Sequence, residues 1–501
     1  MMHASSVPAI RVAAINTREV RPGGSWVLYW MSAARRTVDN FGLERAVSWA
    51  RELKKPLVVL EAIRAGYPFA CDRFHRFVID GMADNDRALE GRTGVVYHPY
   101  VEPAPGKGKG LLGVLAAQAC VVVADDFPCF FLPRALAAAA LESPVRFETV
   151  DGNGLLPLRA ISPGTRFTFA HQFRRFQQRT LPAHLASFPQ RDPLAGPPLP
   201  ALAPLPRAIT DHWPRAPRDV LEAPAKLIAS LPIDHRVSSL AERGGMREAE
   251  ARLTRFVEAR LSRYEERSNP DSEVASELSA HLHFGHVSAH RIFSAIAERT
   301  GWKKEKLSGK PDGRKEGYWN ASPAADGVLD QLTTWRELGF ARCAVADDYA
   351  SYDALPAWAR QTLENHAKDP RPHRYSIAQL ESAATSDDLW NAAQRQLMRE
   401  GRIQNYLRMI WGKRLLEWTE HPREAYSVLI ELNDRWATDG RDPNTYTNIG
   451  WIFGQYDRPW APERPIFGTV RYMSSAQAKK KLELTAWLAK NGPAPTQRAL
   501  F

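Results

Sequence analysis

The sequence predicts a two-part chain, in which a doubly wound parallel β-sheet with its helices is followed by an all-α domain. Over the first 160 residues, short apolar runs alternate with helical patterns, as they do in α/β proteins. Prolines then cluster from Leu181 to Pro232, which favours a linker along the surface over helix or central strand. From Ser239 onward, apolar residues recur at helical spacing and β-branched runs are almost absent. We therefore expect a Rossmann-like α/β domain at 1–160, a linker at 161–238 and a helical domain at 239–501.

Five apolar runs of four to eight residues predict the strands of the sheet, and three amphipathic stretches predict helices between them. The strands are expected at Trp26 to Met31, Pro56 to Ile63, Gly94 to His98, Cys120 to Asp126 and Arg146 to Asp151. The helices are expected in DNFGLERAVSWARELKK, CDRFHRFVIDGMADNDRAL and LPRALAAAALE. The chain has neither GxGxxG nor GxxxxGK[ST], so the sheet does not indicate a nucleotide site. We interpret the glycine-rich stretch GKGKGLLG (Gly106 to Gly113) as a flexible connection.

Composition limits the partners and the compartment. The net charge is +11 and the isoelectric point is about 9.5, which makes a polyanion such as nucleic acid a candidate partner. The four cysteines show no CxxC spacing and indicate free thiols in a reducing compartment; they are Cys71, Cys120, Cys129 and Cys343. Because no apolar run reaches membrane length and no signal-peptide core begins the chain, we expect a cytoplasmic protein without a membrane contact. We expect it to be a monomer.

Two further patterns have simple interpretations. The basic insert from Trp302 to Asn320 is interpreted as a solvated loop, with contact to a phosphate backbone as the alternative.

Four histidines lie close together, and His286 and His290 are four residues apart, as metal ligands on a helix can be. No carboxylate or cysteine completes a ligand set with them or with His281 and His283, so we expect structural histidines and no metal.

The stretch from Asp387 to Trp451 carries the chemistry. In NYLRMIWGKRLLEW, apolar residues recur at helical spacing, so Trp411 and Trp418 share a face, roughly 10 Å apart along the axis. A stripe of tryptophans alone more often belongs to the hydrophobic core than to a functional site. Here, however, Asn405 and Arg408 share the stripe, and a buried arginine is costly unless a negative group meets it. The pattern therefore indicates a buried polar cofactor with a flat, extended ring.

An ordered series of motifs resembles the class II cyclobutane pyrimidine dimer (CPD) photolyases of the photolyase/cryptochrome superfamily. The series is SELSAHLHFGHVSAHR, AWARQTLENHAKDPRPHRYSIAQLE, LWNAAQRQLMREGRIQNYLRMIWGKRLLEW, LNDRWATDGRDPN and RYMSSAQAKKK. VLYWMSAARRTVDNFGL looks like the family's opening strand and helix, and VDGNGLLPL like its exit from the first domain. The similarity covers nearly the whole chain. It implies an antenna-type first domain, which binds a deazaflavin or leaves its cleft empty, and a helical domain that binds FAD.

The resemblance also implies which residues form the flavin site. By motif match, the pyrophosphate side would be held by Tyr264, Ser276, Leu278 and Ser279. The isoalloxazine ring would lie against Arg408 paired with Asp439, with Asn405, Arg441 and Trp335 nearby and Asn433 facing flavin N5. Trp411, Trp390 and Trp418, in that order outward, would pass an electron from the surface to the excited flavin.

The implied activity is light-dependent repair of UV-damaged DNA. Excited, reduced FAD donates an electron to a CPD, the cyclobutane ring splits and the electron returns. The lesion must first leave the base stack. By the same matching, Trp335 and Trp451 would be the walls of the dimer pocket and Met409 their neighbour, while Asp457 and Arg458 would fill the gap in the duplex.

The sequence departs from the family at two places. Gln331 stands four residues before Trp335 in VLDQLTTWREL, where the family usually has a carboxylic acid that shares a proton with the dimer. Glutamine donates a hydrogen bond but does not transfer a proton. GFARC also stands where a D-N-F-C-like ending is usual. The alternatives are therefore a cryptochrome-like blue-light photoreceptor, repair of the (6-4) photoproduct, or a non-catalytic helical nucleic-acid binder.

Overall fold

The first part of the chain forms one six-stranded sheet in the order β1-β6-β5-β2-β3-β4. The computed structural model describes residues 6–493. Its strands are β1 (Val12–Ala14), β2 (Trp26–Trp30), β3 (Leu57–Ile63), β4 (Val95–Val101), β5 (Ala119–Asp125) and β6 (Phe147–Val150). Strands β2 to β6 run parallel, whereas β1 is antiparallel to β6, with Val12 opposite Val150. All seven residues of β5 are buried, as expected of a parallel strand covered on both faces.

The five strands predicted from apolar runs are confirmed, with ends that differ by up to three residues. The sixth, β1, was not predicted, because its three residues are half-buried or exposed at the sheet edge and give no apolar run. The helices beside the sheet are α1 (Phe41–Leu53), α2 (Asp72–Leu89), α3 (Leu111–Gln118) and α4 (Leu132–Glu142). Helix α3 was also missed. Gly110, the residue directly before it, has a φ of +92°, which suits a glycine. The Gly108 N–H donates to the Glu102 carboxylate at 2.9 Å.

The proline-rich stretch contains helices, so the expectation that it excludes them is wrong. After α5 (Ala170–Thr180) come three short helices: α6 (Arg207–Thr210), α7 (Arg218–Glu222) and α8 (Ala225–Ser230). Each of the three follows directly on a proline, at Pro206, Pro217 and Pro224. The first N–H groups of a helix have no acceptor within the helix. A proline, which lacks an N–H, is therefore tolerated at a helix start. The division of the chain at 160 and 238 stays a prediction.

The rest of the described chain is helical. Its α-helices are α9 (Met246–Arg255), α10 (Ser279–His283), α11 (Ala289–Thr300), α12 (Pro323–Asp330), α13 (Arg336–Val345), α14 (Ala357–Asn365), α15 (Ile377–Glu381), α16 (Asp388–Glu400), α17 (Asn405–Trp418), α18 (Pro422–Trp436), α19 (Pro443–Ile452), α20 (Ser475–Lys481) and α21 (Thr485–Asn491). Two π-helical segments occur, at Phe256–Arg260 and Gln331–Trp335. The 3-10 turns are Ala9–Arg11, Leu158–Ala160, Leu181–Ala183, Leu261–Ser268, Pro270–Ser272, Lys304–Lys306 and Tyr352–Ala354. Within residues 6–493, none of the helices combines the length and apolarity that crossing a membrane requires.

A buried carboxylate joins the sheet to the helices. Glu337 on α13 accepts the N–H groups of Leu155 and Leu156 at 2.7 and 3.2 Å. Gly154 allows this approach, because a Cβ there would lie 2.6 Å from Glu337 Oε1. Burial raises the pKa of Glu337 to about 8. The loop that leaves the sheet is therefore fixed to the helix that follows the Gln331–Trp335 segment.

Candidate active site

A small cavity lies between α17, α18 and α19. Its lining is Asn405, Arg408, Met409, Trp411, Asn433, Thr445, Asn448, Ile449 and Ile452. Helix α17 contributes residues spaced three and four apart, which places them on one helical face, and α19 contributes a second such set. Five residues named from the sequence therefore line one cavity: Asn405, Arg408, Met409, Trp411 and Asn433.

The polar groups of this cavity are only partly satisfied by the protein. Arg408 NH1 donates to Asn433 Oδ1 at 3.4 Å, and Arg408 NH2 lies 3.6 Å from Asp439 Oδ1. Asn433 is fixed by a 3.0 Å hydrogen bond to Thr445. Within the described chain, no donor comes within hydrogen-bond distance of the buried Asp439 Oδ1. A guanidinium has five donors, so this group has capacity left for a polar ligand.

The three tryptophans named from the sequence form a contiguous stack. The rings of Trp390 and Trp411 lie 6.2 Å apart between centroids and are nearly parallel, and Trp418 meets Trp390 edge-on at 5.3 Å. Trp390 Nε1 donates to the Trp411 carbonyl at 2.9 Å, and Trp411 Nε1 donates to Gln394 at 3.0 Å, so both rings are held in place. Trp411 lines the cavity. The stack therefore leads from the cavity wall through Trp390 to Trp418.

The outer end of the stack is not at the surface. Trp418 is 1% exposed, and the half-buried Tyr375 ring meets it edge-on at 5.0 Å. The Arg414 guanidinium lies 4.8 Å from the centre of the Trp418 ring. Tyr375 was missed from the sequence because it lies far from the stack along the chain, in a segment without periodic signal. Tyr375 is therefore a partly exposed ring in contact with the outer end of the stack.

Four residues expected on the pyrophosphate side do not line this cavity. Tyr264 lies in the Leu261–Ser268 turn, between Phe256 and the Arg267 guanidinium. Leu278 is buried and directly precedes α10, while Ser276 is half-buried and Ser279 is exposed. Gln404 links this region to the cavity, because its side chain accepts the Leu407 N–H at the start of α17 and donates to the Arg267 carbonyl at 2.7 Å.

Arg441 also points away from the cavity. Its guanidinium donates to the carbonyl groups of Asp434 and Thr438 at 2.7 and 3.4 Å and lies over the Phe74 ring. Its φ is +63°, and its N–H donates to Asp434 Oδ1 at 2.6 Å. In this arrangement Arg441 fixes the turn that carries Asp439, and its role at a cofactor stays a prediction.

The two expected walls of the dimer pocket lie against each other. The ring centroids of Trp335 and Trp451 are 4.4 Å apart, with 30° between the planes. Trp335 Nε1 donates to Asp330 Oδ2 at 3.1 Å. Arg174, on α5, donates to both oxygens of the same carboxylate at 2.7 and 3.2 Å. The partner of Trp335 on its own helix is therefore Asp330, which the sequence reasoning missed.

The reason is the π-helical segment Gln331–Trp335. In a π-turn the hydrogen bond joins residues five apart, so residues i and i+5 come together where an α-helix would bring i and i+4 together. Asp330 and Trp335 stand five apart, and Gln331, four before Trp335, is half-buried beside them. No sequence period reveals a single π-turn.

The residues expected to enter the duplex lie on the loop that follows α19. Asp457 Oδ1 accepts the Arg458 N–H at 2.9 Å and the Trp460 Nε1–H at 3.1 Å. The Arg458 guanidinium lies 4.8 Å from the centre of the Trp460 ring. Arg458 is exposed, whereas Asp457 is half-buried. The loop is thus pre-formed around the Asp457 carboxylate.

A buried lysine supports this loop, and it too was missed from the sequence. Lys413 on α17 is 1% exposed and donates through Nζ to the carbonyl of Ile452, the last residue of α19. Burial lowers the pKa of the Lys413 ammonium to about 7. Gly412 next to it lets the two helices meet, since a Cβ there would lie 2.2 Å from Ile452 Cδ1.

The clustered histidines have protein partners. His286 Nδ1 accepts the Gly245 N–H at 2.9 Å, and burial holds the pKa values of His286 and His290 well below the ordinary range. His283 lies 3.2 Å from Asp442. Within residues 6–493, no group of three or more His, Cys, Asp or Glu side chains is arranged to hold a metal ion.

A second cavity lies at the carboxyl ends of β2, β5 and β6, against α10 and α11. Its polar lining includes Arg36, Asp125, Asp126, Asn153 and Arg336. Asp125 accepts three successive N–H groups, those of residues 32–34, at 2.8 to 2.9 Å. Open α/β sheets place ligands at such strand ends. A deazaflavin antenna there stays a prediction.

Known proteins were compared with this chain as a whole. No family model matches it. The deoxyribodipyrimidine photo-lyase of Methanothermobacter thermautotrophicus is 32% identical over 492 residues, which cover 96% of this chain and 98% of that protein. This chain belongs to the deoxyribodipyrimidine photo-lyase family. The photo-lyases of Oryza sativa subsp. japonica and Potorous tridactylus are 32% and 31% identical, over 96% and 93% of this chain and 90% and 81% of those proteins.

The fold agrees with this membership. A crystal structure of a bacterial class III photolyase from Agrobacterium tumefaciens matches with a TM-score of 0.65 and 17% identity, covering 93% of this chain and 86% of that one. The predictions of the photolyase/cryptochrome superfamily, of the fold class and of a photo-lyase enzyme are confirmed. The family generally binds FAD.

Proposed function

We propose that this photo-lyase family member is a class II enzyme that repairs cyclobutane pyrimidine dimers in UV-damaged DNA in a light-dependent reaction. The observation that carries the proposal is the cavity of Arg408 and Asn433, from whose Trp411 wall the tryptophan stack leads through Trp390 to Trp418, which the half-buried Tyr375 contacts. A core packed only for stability does not need an arginine and an asparagine at the inner end of three indoles.

The residues present fit FAD. Asp439 has a buried carboxylate oxygen without a donor, and Arg408 is held only by contacts of 3.4 and 3.6 Å, so both can turn to a ligand. Reduced FAD, when bound, supplies the light-excited electron donor. Its ring side would be held by Asn405, Arg408, Asn433, Asp439 and Arg441, and its pyrophosphate side by Tyr264, Ser276, Leu278 and Ser279.

Two residues set the charge and orientation at the ring. The Arg408 guanidinium carries a positive charge and so favours negative charge in the cavity. Asn433 is fixed by Thr445, which leaves its amide oriented toward the cavity side of α18. Substituting leucine for either would fill space and provide neither charge nor a hydrogen bond.

The tryptophan stack would pass electrons inward. Trp411 lines the cavity, Trp390 lies parallel to it at 6.2 Å and Trp418 follows at 5.3 Å from Trp390. Each indole is in contact with the next, which short-range electron transfer requires. The stack would thus reduce the cofactor before repair.

The lesion would bind between the pocket walls. Trp335 and Trp451 would offer flat apolar faces to a flipped-out dimer and exclude water from it. Met409, which lines the Arg408 cavity, would be their neighbour. Asp457 and Arg458 would fill the gap that the dimer leaves in the duplex. Trp335 and Trp451 are 4.4 Å apart, so a dimer seated between them must move at least one ring.

Gln331 favours a second candidate function, that of a cryptochrome-like photoreceptor, which has flavin and tryptophans but repairs no DNA. Its amide donates a hydrogen bond to a carbonyl oxygen but releases no proton. The neighbouring acid does not replace it, because Asp330 is held by two hydrogen bonds from Arg174 and one from Trp335. We expect repair in which a smaller share of excited electrons leads to splitting.

The deciding experiment illuminates the FAD-loaded, reduced protein with two oligonucleotides, one containing a CPD and one a (6-4) photoproduct. Restoration of intact thymines is followed by chromatography, with dark samples as the control. We expect light-dependent loss of the CPD alone. Photoreduction of the flavin without repair of either lesion would overturn the proposal in favour of a photoreceptor, and repair of the (6-4) lesion would overturn the class assignment.

A further inference from the structure

The basic insert is a loop with exposed charges, as expected from the sequence, but its two ends are fixed to the helical part of the chain. Trp302 Nε1 donates to the Trp319 carbonyl at 2.6 Å, and the Ser308 N–H donates to the Tyr318 carbonyl at 2.9 Å, so the two ends of the segment are fastened together. Tyr318 and Trp319 are buried in the apolar core. The loop therefore has a fixed base from which its charged residues project.

The tip of the loop lies on helix α5. The Gly313 N–H donates to Gln178 Oε1 at 2.8 Å, and Gln178 Nε2 donates to the Arg314 carbonyl at 2.8 Å. Gly313 has a φ of +84°, and a Cβ there would lie 2.7 Å from the His171 carbonyl oxygen. Only glycine permits this approach. We call the Trp302 to Asn320 segment together with α5 the basic flank.

The basic flank is joined to the dimer pocket by one arginine. Arg174 donates to the Gly313 carbonyl at 3.4 Å and, bidentately, to Asp330, which in turn accepts the Trp335 indole N–H. On the other side, Phe169 directly before α5 forms a β-bridge with Tyr456, the neighbour of Asp457. The flank thus borders both the Trp335 wall and the loop expected to enter the duplex.

The charge of the basic flank is exposed and largely unpaired. The loop has six basic and three acidic side chains, and α5 adds three arginines and no acid. The exposed cations are Lys303, Lys304, Lys306, Lys310, Arg314, Lys315, Arg175 and Arg179. Within the residues that the structure describes, Arg314 pairs with Asp312 at 3.4 Å, and no ion pair forms at Lys303, Lys304, Lys310 or Lys315. Like charges held together on a fixed loop repel one another unless a polyanion meets them.

We propose that the basic flank binds the phosphate backbone of the DNA duplex beside the lesion, on the Trp335 side of the dimer pocket. The proposal rests on the proposed function and adds a second contact region to it. A rigid loop loses little conformational freedom on binding, so its lysines neutralise phosphates at low entropic cost. Because backbone contacts carry no sequence information, the flank strengthens binding equally at all flanking sequences.

The test compares two charge-matched triple variants. In one, Lys310, Arg314 and Lys315 are each changed to Gln. In the control, exposed cations outside the basic flank are changed in the same way, at Arg18, Lys109 and Lys226. Binding of the FAD-loaded protein to a CPD-containing duplex is measured over a range of salt concentrations. Each phosphate contact contributes about 0.9 to the slope of log K against log salt, so the slope should become shallower by roughly 2 to 3 in the flank variant and stay unchanged in the control.

A second readout separates binding from chemistry. With a dimer-containing dinucleotide, which has no flanking duplex, illuminated repair by the pre-reduced flank variant should equal that of the wild type, and this also shows that the variant is folded. An unchanged salt slope in the flank variant would overturn the inference while leaving the proposed function intact. Absence of CPD-dependent binding and repair in the wild type would instead overturn the proposed function itself.

Discussion

Lys413 offers a sharp test of the packing under the proposed active site. Its ammonium is buried where α17 meets the end of α19, and it donates to the Ile452 carbonyl. The Asp457 carboxylate favours the charged form of the Lys413 ammonium, but the effect of burial is larger. The pKa of Lys413 therefore falls from 10.5 to about 7. We consider the substitution Lys413→Met, which keeps an unbranched side chain one atom shorter and removes the charge.

The magnitude follows from the pKa. Each unit by which a pKa is lowered corresponds to about 1.4 kcal/mol, so burying the charged ammonium costs about 5 kcal/mol at pH values below 7. The methionine variant regains this but leaves the Ile452 carbonyl without its donor, at a cost of about 1 to 3 kcal/mol. The free energy of unfolding of the variant should therefore be about 3 kcal/mol higher than that of the wild type at pH 6.

The difference depends on pH in a direction fixed by proton linkage. Between pH 7 and 10.5 the unfolded wild type binds the lysine proton and the folded wild type does not, so its stability rises with pH. Relative to the methionine variant, the rise is at most about 1.4 kcal/mol per pH unit. From pH 7 to 9 the advantage of the variant should accordingly shrink from about 3 kcal/mol to near zero.

The assay is equilibrium urea unfolding of both proteins at pH 6, 7, 8 and 9, with Lys226→Met as the control for an exposed lysine. Taking the difference between variant and wild type cancels the titrating groups that do not interact with Lys413. If the two stability curves run parallel from pH 6 to 9, the ammonium is not desolvated between α17 and α19, and the argument fails.

Three further predictions concern the proposed reaction. Trp390→Phe should abolish photoreduction of oxidised flavin but leave repair by pre-reduced enzyme close to wild type; equal loss of both, measured by absorbance and by chromatography, would contradict the relay. Asp330→Asn should weaken dimer binding by roughly 1 to 3 kcal/mol, since it leaves Arg174 without its charge partner and loosens Trp335, with light-saturated repair less affected; an unchanged dissociation constant would refute this role. Gln331→Glu should raise the quantum yield of repair without tightening binding, and an unchanged yield would show that proton supply is not limiting.

Much of the fold could be predicted because parallel strands are buried on both faces and so give continuous apolar runs. The β5 run was found from composition alone, and all seven of its residues are buried. The edge strand β1 gave no such run because half of its environment is solvent. The short helices after Pro206, Pro217 and Pro224 were missed because proline was treated only as a helix breaker. Proline is also tolerated directly before the first residue of a helix.

The candidate site was predictable where its residues share one helix. Asn405, Arg408, Met409 and Trp411 follow the α-helical period on α17, so their common face could be read directly. Tyr375 and Lys413 could not be found in this way. The first meets Trp418 only through tertiary packing, and the second appears in the sequence as one more charged residue of a helical pattern.

The π-helical segment before α13 is where local sequence reasoning and the structure differ most, and the difference affects the chemistry. By motif match with the family, Gln331, four residues before Trp335, is expected at the position of the usual carboxylic acid. The π-turn pairs Trp335 with Asp330, so a carboxylate does reach the pocket wall, but Arg174 and the indole N–H already occupy it. A carboxylate that accepts three hydrogen bonds is held in one orientation and in turn fixes the ring of its partner. We therefore expect Asp330 to position Trp335, and Gln331 to supply a hydrogen bond but no proton to a bound lesion.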